Sequence, residues 1–312
     1  MTAAPARPTP PPGGDSPSSS SAAAASSSSS TTAATLVNLA SSDLPTRRRA
    51  LLALMAAPPP AAAILHSGVL DSSDEGVRLA AIAVLGRTVD DRDAVNAALL
   101  NTLASDGEVG VRAGAAGALG GVDPPGDGNE GGGVVDDGPG LTPEVRAGLR
   151  TAGAEDGHFM VRYSALVSLG AGRVAADVPY LLTVLGGCAK EDPNDQLIAQ
   201  GAIMALAEMR LSSHADAAGA AASGEAGAGD TTAWVPDAVS ALAGWASAPD
   251  GMTRIAVARA LGVAATRWGA ATVAAGVLTR MLDGEGGDVI RVVEGVRASV
   301  AAAERREQEE GA

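Results

Sequence analysis

"DEGVRLAAIAVLG", residues 74–86, sets an acidic turn ahead of Val77, Ala81 and Leu85, which fall four apart and share one face of a helix. The phrase returns as "GEVGVRAGAAGALG" (107–120), "DGHFMVRYSALVSLG" (156–170) and "PDGMTRIAVARALG" (249–262). Weaker copies are "PTRRRALLALMA" (45–56), "NDQLIAQGAIMALAEM" (194–209) and "GGDVIRVVEGVRASV" (286–300). Aligned on one position, the series reads Arg48, Arg78, Arg112, Arg162, Ala199, Arg254 and Arg291, with spacings of 30 to 37 residues where no insertion intervenes. Between the copies lie shorter amphipathic runs such as "DAVNAALLNTLA", "DVPYLLTVLGGCA" and "VPDAVSALAGWA", two of them with Pro179 or Pro236 near the start, where a missing N–H costs nothing. A repeat of this period is a helix–turn–helix unit. The expected fold is therefore all-α, a right-handed α-solenoid of about six to seven helical hairpins.

Within each copy the central small residue, Ala81 or Ala165, lets the paired helix come close, and the closing Gly suits a left-handed C-cap. The Arg stands one residue after the first core position, with an acid a few residues before it. The expected ladder pairs Asp74 with Arg78, Asp106 or Glu108 with Arg112, Asp156 with Arg162 and Asp250 with Arg254, and continues to Arg291. Each acid also caps its helix.

Outside the repeats, residues 1–35 are rich in Pro, Ser, Ala and Thr, and cannot bury enough apolar surface to fold. This tail reads either as a chloroplast transit peptide or as plain disorder, in which case the chain reads as cytoplasmic. The solenoid spans 36–301, with Gly-rich insertions at 121–142 and 212–231, and a charged tail covers 302–312.

Composition narrows function. With 22 basic against 36 acidic residues, the net charge of -14 opposes nucleic-acid binding, which depends on Lys and Arg contacts to phosphate. Cys188, the single cysteine, excludes an intrachain disulfide or thiolate cluster and reads as a small buried hydrophobe. No run of 18 apolar residues offers a membrane span, so no membrane insertion is expected.

Catalytic motifs are missing. The loop 126–140 lacks the Gly-Lys-Ser/Thr ending of a phosphate loop, and its "DGNEGG" start would need an acid where Gly138 stands to hold calcium. No Gly-x-Ser-x-Gly elbow occurs. Trp234, Trp245 and Trp268 read as packing residues. His158 stands where other copies carry Asp74, Glu108 and Asp250; it reads as a capping replacement, or alternatively as a contact at a concave rim. The surface just beyond the core stripe is the expected partner-binding face: Leu79, Ile82, His158, Phe159, Tyr163, Leu166, Gln200 and Ile203, with Arg162 at its edge.

An acidic turn followed by Val-Arg-x-x-Ala-x-x-x-Leu-Gly resembles the HEAT-like repeats of the bilin-lyase type. The order of copies is similar to that of the phycobilisome degradation protein B family, in "HFMVRYSALVSLG" and in the Arg-less "LIAQGAIMALAEM". The chain departs from that family in its Gly-rich insertions and in "DGMTRIAVARALG", which lacks an aromatic before the Arg. The resemblance implies a non-catalytic scaffold that engages a protein or pigment–protein complex without a cofactor, or else a lyase subunit that holds a tetrapyrrole. HEAT-like repeats also build deoxyhypusine hydroxylase, an oxidoreductase whose iron is held through His-Glu pairs. This sequence has no His-Glu dipeptide, and His66, His158 and His214 stand apart, which disfavours that activity.

Overall fold

The structure is a computed structural model that describes residues 31–121, 141–209, 233–282 and 287–310. The described residues are helical, with no strand among them. After a helical stretch over 31–39 come α1 (Leu44–Ala56), the short α2 (Ala61–Leu65), α3 (Glu75–Arg87), α4 (Arg92–Ser105) and α5 (Val109–Leu119). They are followed by α6 (Pro143–Glu155), α7 (Phe159–Ala171), α8 (Val178–Gly187), α9 (Pro193–Glu208), α10 (Val235–Trp245), α11 (Gly251–Arg267), α12 (Ala271–Met281) and α13 (Gly287–Glu310). Two boundaries differ from the sequence reading. The stretch 31–39 enters the segment read as tail, because Leu36 and Leu39 are buried and hold it to the core. The last helix continues through 302–310, the segment read as a charged tail. Residues 1–30, the insertion from 122 to 140 and the whole of 212–231 lie outside the described residues.

The helices fall into two rows. Those carrying the repeated phrase touch in series, α1 on α3, α3 on α5, α5 on α7, α7 on α9, α9 on α11 and α11 on α13. The intervening helices form a second row in which α2 meets α4, α4 meets α6, α8 meets α10 and α10 meets α12. Between the rows lies an aliphatic core. Val77, Ala81 and Leu85 of α3, and Val161, Ala165 and Leu169 of α7, are all buried in it. Trp268 donates from Nε1 to the Met209 carbonyl at 3.1 Å and meets Trp234 edge-on at 4.8 Å, while Trp245 is buried with the Lys190 ammonium over its ring. All three tryptophans pack.

The glycine that closes each copy serves a different purpose from the one its position suggests. Gly86, Gly120, Gly170 and Gly262 are not among the positive-φ glycines of the described residues, which are Gly68, Gly121 and Gly269. They mark close approach instead. A Cβ at Gly86 would sit 3.1 Å from the Cβ of Ala118, and one at Gly170 would sit 2.5 Å from the Cα of Ala205. At Gly86, Gly120 and Gly170 helices of the first row thus meet glycine to small residue, whereas Gly262 approaches the Val296 side chain.

Candidate interaction surface

The turn that precedes each repeated helix organises the edge of the first row. Asp74 and Asp250 cap their helices through Val77 N and Thr253 N, and Asp106 and Asp156 accept from the backbone N–H of Glu108 and His158 at 2.9 Å. His158 itself caps α7, with Nδ1 accepting from Met160 N at 3.2 Å and its ring stacked on Phe159 at 4.7 Å. An imidazole nitrogen with a free lone pair replaces the usual carboxylate here.

The ladder runs across the copies, not within them. Arg47 pairs with Asp74, Arg78 with Asp106 and Arg112 with Asp156, each through two nitrogens onto two carboxylate oxygens. The in-copy pairing expected from the sequence is corrected for Asp74, Asp106 and Asp156, because each of these acids is already held by the Arg of the copy before. A second bond braces the rung. Arg47, Arg78, Arg112 and Arg254 each donate to the carbonyl six residues earlier, in their own turn. The first rung belongs to Arg47, whereas Arg48 is exposed. Arg291 lies on the surface and bonds Asp288 three residues before it. Between α9 and α11 the rung is neutral on one side, with Gln200 donating to Asp250 at 3.0 Å and to Thr253 at 2.9 Å.

These contacts set the titration of the acids. The hydrogen-bonded Arg47 guanidinium holds the Asp74 carboxyl below its usual range. Burial works to raise Asp106 and Asp156, but Arg78 and Arg112 respectively, aided by the capped backbone N–H, outweigh it and keep both low.

A separate charged knot ties the second row. Asp177 is fully buried and accepts from Arg146 at 3.0 and 3.1 Å and from Arg150, joining α6 to the start of α8. Tyr180 donates its hydroxyl to the Arg150 carbonyl at 2.8 Å, and burial pushes its pKa up to about 12. Sequence reasoning missed this group. Arg146 and Arg150, four apart on α6, were the available signal.

The outward face of the first row divides in two. At α1, α3 and α5 it forms an apolar groove of about 330 Å³, lined by Leu51, Leu79 and Ile82 and floored by Gly76, Ala83 and Gly114. Small side chains leave this space open. At α7, α9 and α11 the face stands proud, with Met160, Met204 and Met252 exposed to 40, 41 and 63%. Tyr163 lies half-buried beside Met204, its hydroxyl donating to Met204 Sδ at 3.5 Å and its pKa raised by burial.

Of the residues expected on the partner face, Tyr163, Leu79, His158 and Phe159 keep partial exposure. Ile82, Leu166 and Ile203 are buried. The reason is geometric: a helix flanked by a neighbour on each side, as well as by the second row, buries an arc wider than one stripe. Gln200 is taken up by its rung. The three methionines were not singled out from the sequence, since a methionine beside a core stripe carries no signal of which side it takes.

Burial raises the Cys188 thiol to about 11 and Sγ donates to the Val184 carbonyl at 3.3 Å, so the thiolate nucleophile is scarce at neutral pH. No group of three or more His, Cys, Asp or Glu side chains arranged to hold a metal occurs among the described residues. Nor is any helix among them long and apolar enough to cross a membrane.

No protein-family model and no curated protein matches this chain. Among solved structures, human deoxyhypusine hydroxylase in complex with glycerol aligns over 92% of this chain and 99% of its own, at 19% identity and a TM-score of 0.38. Two engineered proteins align over 87% of this chain and 97 and 98% of theirs, each at 17% identity and a TM-score of 0.36.

Proposed function

We propose that the chain is a right-handed α-solenoid of HEAT-like hairpins that acts as a non-catalytic adaptor, holding a protein or pigment–protein partner on its first-row face. The observation that carries this reading is the exposure of Met160, Met204 and Met252 on three successive first-row helices, with Tyr163 bonded to Met204. Methionine is flexible and polarizable, and a row of exposed methionines on a rigid helical base suits an apolar protein surface. Stacked rows joined by regular rungs suit a scaffold, in which each unit contacts only its neighbours. The resemblance to bilin-lyase-type repeats supports a pigment–protein partner, with a chloroplast as the compartment if residues 1–35 are a transit peptide. Fold alone does not supply the function.

Affinity purification from native cells tests the reading, comparing the wild-type chain with the Met160→Asp/Met204→Asp variant. A partner set retained by the wild type and lost from the variant is the expected result, and an unchanged set overturns it. The eluate's absorption spectrum separates the lyase alternative: a visible band that follows this chain without the partner protein points to a tetrapyrrole held directly.

A further inference from the structure

The ladder breaks at Arg162. Arg47, Arg78 and Arg112 each grip the carboxylate of the next turn, whereas the one bond made by Arg162 runs back from Nε to the Gly153 carbonyl at 3.0 Å. The cause lies in α9. The repeated helices α3, α5, α7 and α11 begin two residues before their first core position, at Val77, Val111, Val161 and Thr253. Helix α9 begins five residues before Ile198, at Pro193, capped by Asp192. Three extra residues displace the acidic turn by about 4.5 Å along the axis. Asp192 is exposed and bonded to Asn194 N, and Asp195 accepts from Ala189 N.

No carboxylate among the described residues forms an ion pair with Arg162. Asp156 is held by Arg112, Asp177 by Arg146 and Arg150, and Glu155 is exposed. Arg162 is half-buried beside Tyr180 and Cys188, and its Nη nitrogens make no hydrogen bond to any of the described residues. A guanidinium already fixed at Nε is pre-organised for a planar acceptor.

We propose that Arg162 is a carboxylate-docking site, the unfilled rung of the ladder, which takes an acidic side chain of a partner protein. This rests on the adaptor reading and adds to it the charge of the bound segment. Arg162 stands two residues from Met160 and so on another side of α7, toward Gly153, Tyr180 and Cys188, so the carboxylate it takes docks beside the methionine surface and not within it.

The test uses the intact chain labelled with ¹⁵N at arginine, titrated with the capped peptide Ac-Gly-Asp-Gly-NH₂, its Asn counterpart and acetate at constant ionic strength. The Arg162 Nε–H signal is assigned from its loss in Arg162→Lys. We expect that signal to shift saturably with the Asp peptide, about tenfold more weakly with the Asn peptide, and more weakly with acetate than with the Asp peptide. No shift, or an equal shift with Asn, overturns the site. Equal affinity for acetate and the Asp peptide overturns the protein side chain as the source in favour of a small carboxylate. Melting curves of Arg162→Lys and Arg162→Gln confirm folding, and the wild-type comparison of Asp with Asn peptide needs neither variant. Because these probes require no native partner, failure here leaves the methionine surface to its own purification test, and failure of that test leaves the Arg162 titration standing.

Discussion

Replacing Gly170 with alanine adds one methyl group where two helices of the first row touch. The new Cβ would lie 2.5 Å from Ala205 Cα, 2.9 Å from its Cβ and 3.2 Å from its carbonyl oxygen. Two of these atoms are backbone, so no rotamer change relieves the clash and α7 must move away from α9. Overpacking of this kind costs about 1–3 kcal/mol. Alanine recovers up to about 1 kcal/mol of helix propensity in a helix interior, and less here because Gly170 stands one residue from the end of α7. The net expectation is a loss of about 1–2 kcal/mol, which for a domain of this size lowers the melting temperature by roughly 2–8 °C. Gly186→Ala is the control, since a Cβ there meets nothing within 4 Å and the same propensity term should stabilise. Urea unfolding followed by far-UV circular dichroism gives both midpoints. If Gly170→Ala matches or exceeds the wild type, as Gly186→Ala should, close approach is not what the repeated glycine provides.

Removing Asp177 leaves two guanidinium groups around a buried site, and Asp177→Ala should cost about 3–5 kcal/mol, read as a large fall in the urea midpoint. Arg112→Gln should cost about 1.5–3 kcal/mol, and a double-mutant cycle with Asp156→Asn should show coupling; additive effects would mean that the rung contributes nothing. The pH dependence follows from the same rungs. Asp106 and Asp156 have folded pKa values below the unfolded value of about 3.9, so their stabilisation is fully present above that value and is lost as pH falls through the lower folded values. Acid titration of stability should therefore be shallower in Asp106→Asn/Asp156→Asn than in the wild type. Tyr163→Ala should weaken partner binding by about tenfold, roughly 1.4 kcal/mol, with a smaller effect on melting, measured by quantitative pull-down beside thermal melts.

Much of the architecture is legible in the phrase at 74–86 and its copies. The spacing of Val77, Ala81 and Leu85 requires a helix buried on one face, and recurrence of that face requires neighbours of the same kind to cover it. The capping acids are equally plain, as is His158 in their place. The clue to the broken rung was also present in "EDPND", where Asp192 followed by Pro193 is a helix start that lies too early for the copy it belongs to. Asp177 left a fainter trace, because a lone acid before a proline signals a cap and says nothing about two arginines some thirty residues away.

By itself the sequence determined the helices, the capping turns at their N-termini and the stripe each one buries, since these follow from periodicity and from hydrogen bonds within a few residues. Only the tertiary structure decided which Asp each Arg holds, that Gly170 is small for the sake of Ala205, and that Ile82, Leu166 and Ile203 are covered while three methionines are not. The physical reason is that a side chain's partner in a stack belongs to the next copy. The offset between copies, and so the reach of every rung, is set by how closely two helices approach, and neighbouring residues within one copy carry no record of that distance.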